Sequence, residues 1–205
     1  MPISTYAELQ TSIGDWLNRS DLTSVIPDFI SLAESEFTRN LRHRKMITRS
    51  DATIDSEYTQ TPLDWFQTQT LILETNPVTK LQYLTPDALN EKRAASVANG
   101  KPLFYTMIGT EIQVYPVPSG DYTAELVYYA KIPSLSDANT TNWMLQFAPD
   151  IYLFGSLLQS APYLADDQRI AVWNSMYQTK VSDIEISDQR TTGQTSVQMQ
   201  TSPLE

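Results

Sequence analysis

The chain has 205 residues, an ordinary hydrophobic content of 41%, no cysteine, one histidine and a formal net charge of −10. That length supports one full core, or a core with a small appended domain. The missing cysteines exclude disulfides, thiolate metal sites and cysteine nucleophiles, and a lone histidine argues against a histidine-based metal site.

The N-terminal stretch "MPISTYAELQ" has no basic region followed by an apolar block. It reads as no secretion signal. No run of eighteen apolar residues exists, so no membrane span is expected. The chain is expected inside a cell, or in a particle assembled there. Residues 1–50 balance their acids and bases, so the whole −10 falls on residues 51–205. Such an acidic protein is a poor general binder of nucleic acid.

Thr5-Tyr6-Ala7-Glu8 spells a capping box: hydroxyl and carboxylate lie three apart. Tyr6, Leu9, Ile13, Trp16 and Leu17 follow at helical spacing, predicting a helix over about 5–18. Asp21 opens a turn, and Pro27 sits in the first turn of a second helix. Ile26, Phe29, Ile30, Ala33, Phe37 and Leu41 form its apolar stripe, and the helix is read to about residue 45.

After Met46 the pattern changes. "ITRSDATID", "TQTLILET" and "KLQYL" read as strands, with "TPLDWFQ" as a turn leading into a short structured segment. "TPDALNEKRAASVANG" carries start and stop signals of a helix, from Thr85 and Pro86 to Asn99-Gly100. "PLFYTMIGTEIQVYPVP" reads as a hairpin with its turn near Gly109-Thr110, and "YTAELVYYAKIP" completes the sheet. "SLSDANTTN" is a polar linker. Helices return with "WMLQFAPDIYLFGSLLQSAPYL", restarted at Pro149. A last helix begins near Asp166, with Ile170, Trp173, Tyr177, Val181 and Ile184 as its stripe. The polar end should be disordered alone.

The order helices, strands, helices predicts an α+β fold. Residues 1–45 plus 140–187 would form one helical bundle. Residues 46–135 would form a β-rich inserted domain with one helix. Residues 188–205 would be an extended C-terminal tail.

Chemistry has few candidates. His43 is flanked by Arg42, Arg44 and Lys45, which disfavour the imidazolium a catalytic triad must form. It is read as a surface or interface histidine. The neighbouring carboxylates Glu34 with Glu36, Asp166 with Asp167, and Asp183 with Glu185 point to different sides of a helix, unlike the facing pair of a glycosidase. Asp166 and Asp167 suit a helix N-terminus. Asp64-Trp65 suggests sugar stacking or plain structure. No phosphate-cradling glycine loop occurs. No cofactor, metal or catalytic residue is expected.

The basic block Arg39, Arg42, His43, Arg44, Lys45 and Arg49 has three readings. Its cations complement a helix C-terminus, contact an acidic partner, or grip DNA. In the tail, Gln194, Val197, Met199 and Leu204 are either solvated or order against a partner. Tyr105, Tyr115, Tyr128 and Tyr129 are either sheet core or anchors of an interface.

Several segments taken together resemble the head-to-tail adaptor (connector) family of short-tailed bacteriophages. They are Trp16-Leu17-Asn18-Arg19, Ile26-Pro27-Asp28-Phe29-Ile30, Ala33-Glu34 and Leu41-Arg42. The Pro62, Asp64, Trp65 core of "TPLDWFQTQTLIL", "LQYLTPDAL" and "FAPDIYLFGSLLQSAPYL" also fit. The resemblance reaches about residue 185. It implies a non-enzymatic virion part at the neck between head and tail, assembled in the host cytoplasm. It implies a homo-oligomeric, twelve-subunit ring beneath the portal protein, docking a tail or nozzle protein. Genomic DNA would pass through its channel without specific binding, and the tail peptide would order on the portal. A tail-associated glycan-binding or glycan-hydrolysing protein, using Asp64 or Asp166, is the rival reading.

Overall fold

The structure, a computed structural model, describes residues 3–96, 99–164 and 168–193. Its elements run α1 (Tyr6–Leu17), a 3-10 segment (Ser20–Val25), α2 (Ile26–Asn40), a 3-10 turn (Arg44–Met46), β1 (Ile47–Ile54), β2 (Tyr58–Gln60), β3 (Trp65–Leu73), β4 (Thr79–Lys80) and β5 (Gln82–Tyr83). There follow α3 (Pro86–Ala95), β6 (Asn99–Gly100), β7 (Phe104–Ile108), β8 (Glu111–Tyr115), β9 (Val117–Pro118) and β10 (Tyr122–Ala130). The chain ends with α4 (Trp143–Phe147), α5 (Pro149–Gln159), a 3-10 turn (Ala161–Tyr163) and α6 (Arg169–Gly193). Helix and strand are mixed, as expected for an α+β chain. The chain divides into two compact units, residues 1–44 with 132–205, and Lys45–Lys131.

In the first unit α5 is the central helix, packing against α1, α2 and α6. Ile151 to Leu157 are all buried, as a helix that is apolar on every side requires. Leu9, Ile13, Leu17, Ile26, Phe29, Ile30, Ala33 and Phe37 face it at helical spacing and are almost fully buried. Trp16 leaves this stripe: it is 44% exposed and meets Phe154 edge-on at 5.6 Å. The capping box at Thr5 forms as expected: the Glu8 N–H donates to Thr5 Oγ1, and Glu8 Oε2 accepts from the Thr5 N–H. Trp173 and Tyr177 of α6 are buried, while Val172 and Met176 are exposed.

Gly155 lets α2 and α5 approach closely. A Cβ there would lie 2.7 Å from Phe37 Cζ and 2.8 Å from Cε1. The Phe37 ring has no freedom to retreat. It is fully buried, edge-on to Tyr152 at 5.2 Å and stacked on Tyr177 at 6.3 Å.

The second unit is built on two sheets. One has the order β1-β10-β3-β4 and is antiparallel. The other has the order β2-β8-β7-β5, with β5 parallel to β7. Ile54, Leu71, Leu73, Ala124, Leu126 and Tyr128 from the first share a core with Tyr105, Ile112 and Val114 from the second. The first and last long strands, β1 and β10, are neighbours, with Ile47 opposite Tyr129. The entry and exit of the unit are therefore adjacent, which is the geometry an inserted unit needs.

Three sequence expectations fail at element ends. The second helix stops at Asn40 instead of about 45, because buried Leu41 turns to φ −84, ψ 140. Helix α3 stops at Ala95, where Ser96 turns extended. Asn99-Gly100, read as its stop signal, pairs as β6 with Val117-Pro118. Strand β3 takes in Trp65 and Phe66, read as part of the segment before it. The polar end has a further difference: α6 continues through Gly193, so residues 188–193 are helical, not extended.

Candidate partner interface and its buried supports

The basic block straddles the division of the chain: Arg39, Arg42, His43 and Arg44 belong to the first unit, Lys45 and Arg49 to the second. Its members do different things. Half-buried Arg42 folds back on α2, its Nη1 donating to the carbonyls of Thr38 (3.1 Å), Arg39 (3.2 Å) and Leu41 (2.6 Å). The first two are carbonyls that the last turn of a helix leaves without internal partners, and Leu41 is the residue that follows it.

Of the two readings of His43, surface or interface, the structure corrects the first. It is 3% exposed. Its ring stacks on Trp143 at 5.7 Å and leans on Phe147 at 5.3 Å. Its Nε2 lies 3.5 Å from Asp188 Oδ1 of α6. The Arg44 N–H also donates to the Asp188 carboxylate, at 3.3 Å, and the Arg44 Nε lies 3.6 Å from it. Asp188 thus gathers the end of the basic block in the first unit. Two aromatic rings and one acid draw His43 inward despite its cationic neighbours.

Arg39, Arg44, Lys45 and Arg49 keep exposed side chains. In the second unit Arg49 reaches across the sheet to Glu125 at 3.1 Å. Asp51, Glu74 and Glu125 bring oxygens within 4.8 Å of one another. Arg49 pairs with one of these three acids, Glu125.

Glu34, which the sequence offers as a carboxylate beside Glu36 and as part of the Ala33-Glu34 motif, interrupts the apolar stripe Ile30, Ala33, Phe37. It is 5% exposed. Its Oε1 accepts from the Leu135 N–H at 2.8 Å and from the Tyr152 hydroxyl at 3.1 Å. Asn142 joins the same network, donating to Tyr152 Oη at 2.6 Å and to the Pro133 carbonyl at 2.7 Å. It also caps α4 by accepting from the Leu145 N–H. Burial pushes the Glu34 carboxyl above its usual range, against the opposing pull of its hydrogen-bond donors. Burial and the Glu34 charge push the Tyr152 hydroxyl up as well, so it stays protonated and donates. A carboxylate so enclosed and so fully engaged anchors the 133–142 segment; it is not a general acid in a cleft.

Asp64 accepts from the Tyr128 hydroxyl at 2.9 Å. Burial and this acid push the Tyr128 hydroxyl up to about 12. The partner of Asp64 is therefore a tyrosine, where glycoside hydrolysis needs a second carboxyl. Tyr105, Tyr115 and Tyr128 are buried in the sheets, and Tyr129 is half-buried. Three of the four candidate anchors are core. Asp166, Asp167, Gln194, Val197, Met199 and Leu204 lie outside the described residues.

No helix among the described residues is long and apolar enough to cross a membrane. No curated protein matches the chain. The family model described as SU10 adaptor protein matches residues 4–200. That span covers nearly the entire chain, including both units, and agrees with the phage adaptor resemblance carried by the motifs from Trp16 to Leu164. The chain belongs to the SU10 adaptor protein family.

Proposed function

We propose that the protein is a structural, non-enzymatic virion component that forms a ring beneath the portal, extends the DNA channel and offers the docking surface for the tail. The observation that carries this is the adaptor family match over residues 4–200. The resemblance supplies the ring of twelve, the portal above and the tail or nozzle protein below.

Several features support the reading. Exposed Arg39, Arg44, Lys45 and Arg49 suit contact with an acidic partner surface. Exposed Leu32, Val172, Met176 and Ile186 on α2 and α6 suit apolar contact with a neighbouring subunit. The net charge of −10 would keep DNA sliding along a channel wall instead of adhering to it. Glu34 and Asp64, the acids that chemistry would recruit first, are committed to tyrosine hydroxyls.

The test is native mass spectrometry of the purified chain alone and mixed with its cognate portal ring. A complex holding a fixed high copy number of this chain per portal is expected. A chain that ignores the portal at micromolar concentration sinks the proposal.

A further inference from the structure

The second unit is open along one side. β1 is the outermost strand of its sheet, and β2 is the outermost strand of the other. Between them lies a groove of about 230 Å³. That is small for a free ligand, where pockets run from roughly 300 Å³ upward, but it suits side chains from one strand. Its floor is Leu71, Ile112 and Leu126, and its near wall is Ser50, Ala52 and Ile54.

The near wall is the cause of the opening. Ser50, Ala52 and Ile54 are the alternate positions of β1 that face the core, opposite Leu126, Ala124 and Tyr122. At two of the three the side chain is too small to reach across. Ala52 is exposed even though it occupies a core-facing position. β1 is also an eight-residue edge strand with no proline and no shift in register against β10. Such an edge presents backbone donors and acceptors to an incoming strand. The groove face carries no charge, while Arg49 and Asp51 point to the opposite face.

The chain itself contains a segment with the matching pattern. Residues 194–205 lie outside the described structure. Within them Thr195-Ser196-Val197-Gln198-Met199-Gln200-Thr201 alternates apolar or β-branched residues with polar ones. As a strand, it would put Val197 and Met199 on one face, roughly 6.6 Å apart. No Asp, Glu, Lys or Arg occurs from Thr191 to Leu204, so the segment meets an acidic chain without repulsion. Beyond Gly193, the segment 194–205 can extend up to roughly 40 Å.

We propose that residues 195–201 bind this groove as an added strand on the free edge of β1, with Val197 and Met199 seated over Ala52 and Leu126. This gives the C-terminal segment a binding site within its own kind of chain, independent of the portal.

The test uses the full chain with Val197→Asp and Met199→Asp, which vacates the groove, and a fluorescent peptide of residues 193–203. Saturable binding is expected. Adding Ala52→Arg should weaken it by about tenfold or more, and adding Thr53→Arg, on the other face of β1, should not. Both positions are exposed, and an unchanged melting midpoint verifies folding. No saturable binding, or equal loss from the two arginines, overturns the proposal.

A second readout exploits the absence of native cysteine. Oxidised Ala52→Cys/Met199→Cys chain should form a disulfide, and Thr53→Cys/Met199→Cys should form none. A single-chain or a two-chain product supports the docking equally, and its mass identifies which copy donates the strand. No product, or equal yields, counts against it. Neither experiment contains portal, so failure here and failure of the adaptor reading are separately visible.

Discussion

Single residues carry more of this fold than their sequence context suggests, and Glu34 is the clearest case. Glu34→Ala leaves the Leu135 N–H and the Tyr152 hydroxyl without their acceptor in a buried place. The expected cost is about 2–4 kcal/mol, read by urea unfolding at pH 7. Glu34→Gln keeps a carbonyl oxygen for the same donors and should cost far less. The two variants also separate charge from hydrogen bonding. Burial raises the folded carboxyl above its ordinary value of 4.5, so the folded state binds the proton more tightly than the unfolded state. This contribution is fully present below the unfolded value and is lost as pH rises through the folded one. The stability difference between wild type and Glu34→Gln should therefore move against wild type on going from about pH 4.5 to neutrality, and a flat difference would refute the linkage. Taking the difference matters because Glu8, held low by Ser4 and Thr5, contributes with the opposite sign.

Gly155 is a second residue of this kind. Alanine there gains roughly 1 kcal/mol of helix preference over glycine. It also drives a methyl group to 2.7 Å from the Phe37 ring. Overpacking of this sort costs about 1–3 kcal/mol, so a net loss of melting temperature is expected. Phe37→Leu in the same chain should recover part of it, a non-additivity that a purely local helix effect would not produce.

Elements are held at their ends by contacts that sequence spacing identifies only when both partners are local. Thr5 and Glu8 are such a pair, and Thr5→Ala should cost about 1 kcal/mol through loss of the cap. The end of α6 is held differently. Asp188 accepts from the Arg44 N–H and faces the His43 ring, partners that precede it by more than a hundred residues. Asp188→Ala should raise amide exchange in the last turns of α6, while protection around Trp173 and Tyr177 is kept. Uniform exchange along α6 would show that Asp188 is not what holds its end.

The molecule as a whole is two units with separate cores. Since β1 and β10 bring the two ends of the second unit together, and Leu71, Leu73, Ile112 and Val114 give it a core of its own, residues 45–131 expressed alone should keep a β-rich circular dichroism spectrum and a cooperative melt. Loss of both would place that core's stability in contacts beyond the unit. The net charge acts at the same scale: at about 0.15 M salt the chain should not shift duplex DNA in a gel, because too few phosphates meet a cation.

By itself the sequence determined the mixed class, the capping box, the apolar stripes of α1, α2 and α6, the Gly109 hairpin and the order of motifs that matched the family. These depend on neighbours within a few positions, where helix and strand periods act directly. The tertiary structure alone decided that His43 is buried, that Glu34 is an anchor, that α2 ends at Asn40 and that Asn99-Gly100 pairs as a strand. Each of these turns on a partner far away in the chain: Asp188 and Trp143, Leu135 and Tyr152, the shared helical core, Val117 and Pro118. The reason is that a long-range contact supplies burial and hydrogen bonds strong enough to override local preference, and the identity of the contacting residue is not encoded in the spacing around it.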